Sequence, residues 1–123
     1  MSITLNTKVY NGVGFNQNGQ SVFNETSAGV PSGFSFLTDK VNTGTGKSDS
    51  TVKWNLSIPV IATEDSECSC EGTVLRTYYV RIEATVPASS TAAERLDLYN
   101  RIKDLVATSQ FSASVQNLVQ AVS

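Results

Sequence analysis

A chain of 123 residues, 40% of them apolar and 16% charged, is long enough for one domain with one core and too apolar to stay disordered. Its formal net charge of −2 gives no overall attraction to nucleic acid, and no apolar run approaches the length of a membrane span, so no membrane partner is expected. There is no histidine, which removes the commonest general base and metal ligand and makes an enzyme a poor reading.

The first residues, Met1-Ser2-Ile3-Thr4-Leu5-Asn6, lack the basic and apolar regions of a signal peptide. The chain is therefore expected to be made and used in a cytosol. Ile3, Leu5 and Val9 alternate with polar residues across a first strand. Asn16-Gln17-Asn18-Gly19 predicts a turn, because Asn and Gly tolerate positive φ. Ser21-Val22-Phe23-Asn24 follows as a second strand and closes a hairpin.

Ser27 to Gly33 reads as a loop or a poorly paired edge strand. Phe34 to Val41 is a strand of imperfect alternation. If its Leu37 and Val41 face the core, Thr38 and Lys40 face away, and Asp39 falls among core positions. That is costly unless Asp39 is paired or a bulge resets the register. Ser35 shares the parity of Leu37. Asn42 to Ser50 is a Gly/Ser/Thr turn region. Val52, Trp54, Leu56 and Ile58 then alternate with Lys53, Asn55 and Ser57 in a clean strand ending at Pro59.

Thr63 to Thr73 is a second loop. The strand that follows is the clearest in the chain. Val80, Ile82, Ala84 and Val86 occupy one face, and Tyr79, Arg81, Glu83 and Thr85 the other. An apolar face needs a cover. The second face, with an aromatic, a cation, an anion and a hydroxyl, suits binding better than packing.

Thr91-Ala92-Ala93-Glu94 fits a capping box and opens a helix running to about Thr108. Leu98, Tyr99, Ile102, Leu105 and Val106 recur along it at helical spacing. Ser109 is a plausible cap for a second helix, whose stripe is Phe111, Val115, Leu118, Val119 and Val122. Two such stripes cannot both be buried on one small sheet, so a partner subunit is expected to cover the surplus. The whole reads as a single α+β domain, an antiparallel meander followed by two helices: 1–25 hairpin, 34–87 sheet, 91–122 helices.

This order of parts resembles the coat proteins of small single-stranded RNA bacteriophages, the leviviruses. The resemblance rests on Ala28-Gly29-Val30-Pro31, on Thr51 to Pro59, on the loop from Ile61 to Val74, on Tyr79 to Pro87, and on Ser89-Ser90-Thr91-Ala92-Ala93-Glu94-Arg95. It implies an N-terminal hairpin capping the outside of a five-stranded antiparallel sheet, with two C-terminal helices. It also implies an interlocked homodimer, many copies of which build an icosahedral shell around viral RNA inside the bacterial host. The virion is then the protein's destination. An RNA hairpin would be held as packaging signal and translational repressor.

Residue by residue, the resemblance places Lys53, Asn55 and Ser57 of the middle strand on the RNA side. Tyr79 matches the position whose ring stacks on an unpaired base. Arg81 and Glu83 match the interior-facing positions beside it. Thr38 and Lys40 join them if the register of their strand allows. Lys53 and Arg81 would supply charge to phosphates. Without the resemblance these residues read as the solvated side of a half-buried sheet. A small dimeric α+β module binding a ligand or protein, with no shell and no RNA, is the alternative.

Cys68 and Cys70 lie in an acidic loop with Glu64, Asp65, Glu67 and Glu71. Cysteines two apart on an extended chain point to the same side with their Cα atoms about 7 Å apart, at the limit of disulfide reach, so bonding to each other is awkward. Bonds to neighbouring subunits would close covalent rings, as in some members of the family. Two free thiols are the plain alternative. A Cys-x-Cys metal site lacks further ligands, so no metal is assigned. No cofactor is expected, although crowded carboxylates at a shell axis could draw divalent cations such as calcium. Gly46-Lys47-Ser48 resembles the end of a phosphate-binding loop, but Val41 stands where the first glycine is needed.

Overall fold

The computed structural model describes residues 2–26, 34–62 and 73–120. They form β1 (Ser2–Leu5), β2 (Lys8–Phe15), β3 (Ser21–Glu25), β4 (Phe36–Asn42), β5 (Ser50–Ile61), β6 (Val74–Val86), α1 (Ala92–Val106) and α2 (Ser109–Asn117). The strands make one antiparallel sheet whose spatial order is the chain order. The α+β meander followed by helices is as expected. The strand count differs: the hairpin is no separate cap over five strands but continues a sheet of six.

The extra strand comes from a turn at Asn6-Thr7. Both residues take positive φ, 47° and 67°, and Leu5 pairs directly with Lys8 across them. This is the two-residue hairpin geometry that matches strand twist. Thr in that region is unusual, and no glycine marks the turn. The predicted turn at Asn16–Gly19 is present, and Gly19 supplies its positive φ of 74°. A register shift between Gly12 and Gly14 bends β2.

That bend helps the sheet curl on itself. Tyr10, Phe23 and Leu37 are buried on one face, with Ile3, Leu5, Trp54 and Leu56 packed against them. Ser35 is fully buried at the entry to β4, on this face as its parity requires. Its hydroxyl donates to the Ser57 carbonyl at 3.2 Å.

β5 runs through Pro59 to Ile61, two residues further than expected. Pro59 lies past Ser57, the last β5 residue paired to β4, where a missing N–H breaks no β4 ladder. Among the described residues β6 pairs only with β5, which leaves its other edge open along the strand.

The capping box of α1 is formed: the Thr91 hydroxyl accepts from the Glu94 N–H, and the Glu94 carboxylate accepts from the Thr91 N–H, each at 3.2 Å. The cap of α2 is Thr108, not Ser109. Thr108 has extended backbone and accepts from the Phe111 N–H at 3.2 Å, and Ser109 is the first helical residue. α2 stops at Asn117, and Leu118 turns left-handed at φ 58°. Neither helix has a buried residue. The Ala28–Pro31 segment, Cys68 and Cys70 with their acidic loop, and Val122 lie outside the described residues.

Candidate nucleic-acid interface

Alternation along β4, β5 and β6 gives the sheet two unlike faces. On the apolar face Leu37 pairs with Leu56 and Leu56 with Val80, while Asp39 pairs with Trp54 and Trp54 with Ile82. An apolar pocket of about 620 Å³ opens between this face and α1, lined by Trp54, Leu56, Val80 and Ile82 of the sheet and by Leu98, Tyr99 and Ile102 of the helix. Asp39 is on the costly side, as its parity predicts. No bulge relieves it, and its Oδ1 is buried without a hydrogen-bond partner among the described residues. Burial raises its carboxyl above the usual carboxylate range.

The other face is polar. Across it run three rows: Phe36–Ser57–Tyr79, Thr38–Asn55–Arg81 and Lys40–Lys53–Glu83. Lys53, Asn55, Ser57, Tyr79, Arg81, Glu83 and Thr38 line one basin of about 640 Å³. All but one of the residues assigned to RNA are thus brought together.

Their states differ. Tyr79 is 72% exposed, so its ring is free to stack. Arg81 is exposed and has no ion pair among the described residues. Lys53 lies 4.0 Å from Glu83, a loose exposed pair worth at most about 1 kcal/mol. Thr38 and Ser57 are buried in the floor. Lys40 does not line the basin; its ammonium donates to the Asn18 carbonyl at 2.7 Å.

The basin also includes Asn16, Gln20 and Phe36, which the sequence reading missed. Gln20 shares the parity of Val22 and Asn24 on β3. That parity marks the polar side only once β3 is known to pair with β4.

A basin with one exposed ring, one free guanidinium and several amides and hydroxyls can stack a base and hold phosphates. No group of three or more His, Cys, Asp or Glu among the described residues is placed to hold a metal ion. No helix among them is long and apolar enough to cross a membrane.

The family described as "Levivirus coat protein" matches residues 3–122. The chain belongs to the levivirus coat protein family. This coat protein is a structural component of the virion and not an enzyme. Solved structures agree in fold. The virus-like particle of Beihai levi-like virus 21 superposes with a TM-score of 0.79 at 20% identity, covering 97% of this chain and 93% of that one. The virus-like particle of bacteriophage ESE058 gives 0.77 at 15% identity, covering 98% and 94%. That of bacteriophage NT-214 gives 0.76 at 16% identity, covering 98% and 93%. No curated protein sequence matches the coat protein.

Proposed function

We propose that this coat protein dimerises, that the dimers close into an icosahedral shell around single-stranded viral RNA, and that the polar basin holds an RNA hairpin serving as packaging signal and translational repressor. The observation that carries this reading is the uncovered apolar surface. Tyr99, Leu105, Val106, Phe111, Val115 and Leu118 are all exposed in the single chain, Leu118 at 89%. A lone soluble subunit rarely leaves so much apolar surface in water. A second copy covers it if the two β6 edges pair and the helices of each subunit lie over the other's apolar face. This also closes an open edge that would otherwise invite aggregation.

Pairing at β6 joins the two polar faces into one. Each joined face then carries two copies of Tyr79, Arg81, Lys53 and Asn55, a platform long enough for a folded hairpin with unpaired bases. The structural neighbours are virus-like particles, which supports assembly into a shell. Assembly then takes place in the cytoplasm of the bacterial host. Disulfides between subunits at Cys68 and Cys70, and calcium at the acidic loop, belong to the same proposal and await direct test.

Electron microscopy of the protein expressed alone tests this reading. Closed shells are expected. Dispersed dimers free of nucleic acid would favour the alternative, a small binding module.

A further inference from the structure

The turn between β2 and β3 sits at the rim of the polar basin, and its hydrogen bonds hold one side chain in a fixed pose. The Asn16 Oδ1 accepts from the backbone N–H of Asn18 at 2.9 Å and of Gln20 at 3.0 Å. Those two bonds fix which end of the Asn16 amide is oxygen. Its Nδ2 must therefore point the other way, and it donates to the Gln20 Oε1 at 2.8 Å. This in turn fixes the Gln20 amide. Lys40 fastens the same turn to β4 through the Asn18 carbonyl.

Gln20 is half-buried and lines the basin. Its oxygen is engaged, and its Nε2, which carries two hydrogens, has no partner among the described residues. A donor that is oriented in advance and left unpaired is suited to an acceptor arriving with a ligand.

We infer that Gln20 is an RNA-contacting residue. Its Nε2 donates to an oxygen acceptor of a nucleotide other than the one stacked on Tyr79. The inference rests on the RNA reading above and extends the site from β4–β6 to β3. Three strand spacings separate β3 from β6, about 14 Å, which is why a separate nucleotide is involved. Lys40 then acts as a positioning residue, holding the turn over the basin. The acceptor is a phosphate oxygen or a base carbonyl, which share this chemistry.

The test uses a labelled pool of RNA stem-loops with randomised loops, titrated with the intact protein and three variants. Gln20→Met removes the donor without adding charge. Gln20→Glu keeps the acceptor for Asn16, and with it the turn. Tyr79→Ala is the reference. Both Gln20 variants are expected to bind about tenfold more weakly, with the thermal melt of Gln20→Glu unchanged. A uniform loss across loop sequences identifies a phosphate acceptor, and a loss confined to some loops identifies a base. Unchanged binding by Gln20→Met, with Tyr79→Ala impaired, overturns the inference and leaves the RNA reading standing. A loss with Gln20→Glu alone is charge repulsion and overturns it equally. If the unaltered protein binds no RNA, the underlying reading fails and takes the inference with it.

Discussion

The Tyr10 hydroxyl lies 2.9 Å from the Ser35 hydroxyl, joining β2 to the entry of β4 across the intervening β3. Ser35 spends its one hydrogen on the Ser57 carbonyl, so Tyr10 is the donor. The chain Tyr10–Ser35–Ser57 thus ties three parts of the curled sheet together on its core side. Tyr10→Phe keeps the ring and removes the donor. Ser35 retains its bond to Ser57, so the cost should be modest, about 1 kcal/mol. Chemical denaturation followed by circular dichroism should show that loss. An unchanged midpoint would mean that the link does not hold the curl.

Asp39 makes the fold sensitive to pH. Its carboxyl is raised by burial, so the folded state holds this proton more tightly than the unfolded chain does. The cost of ionising it in the fold is fully present above the raised value. It fades as pH falls through that value, and it vanishes where both states are protonated. Asp39→Asn should therefore raise the melting temperature at neutral pH, with a gain that shrinks on acidification. Melting curves of both proteins across that range check it, and a difference independent of pH would contradict the assignment.

Thr91 caps α1 from both sides of the capping box. Thr91→Ala should destabilise the protein by about 0.5–2 kcal/mol. Thr91→Ser keeps the hydroxyl and should recover most of it. Equal losses in the two variants would show that the methyl group, not the cap, matters.

Tyr79 is exposed on the polar face and contributes nothing to the core. Tyr79→Ala should weaken RNA binding by about 1–3 kcal/mol, the worth of one stacked base. Particle formation should persist. Lost assembly with unchanged RNA affinity would move Tyr79 from the RNA site to a subunit contact.

Much of this was legible in sequence where one signal acts alone. The strict alternation of Tyr79 to Val86 fixes both faces of β6. The Thr91/Glu94 spacing marks the start of α1. What escaped depends on competition between similar residues or on distant partners. Asn6-Thr7 turns the chain without glycine, so β1 and β2 read as one strand. Thr108 and Ser109 both carry a capping hydroxyl, and only backbone geometry chooses between them. Lys40 has the parity of an RNA-facing residue, yet it is taken by Asn18, 22 positions away in sequence. Gln20 enters the basin only because β3 pairs with β4 in the observed register.

The most direct measurement is size-exclusion chromatography of the protein expressed alone in bacteria, recording nucleic-acid and protein absorbance together. A peak at particle size with a nucleic-acid spectrum is the expected result. A small dimer free of nucleic acid would contradict the packaging role and remove the basis for every RNA contact assigned to the polar basin.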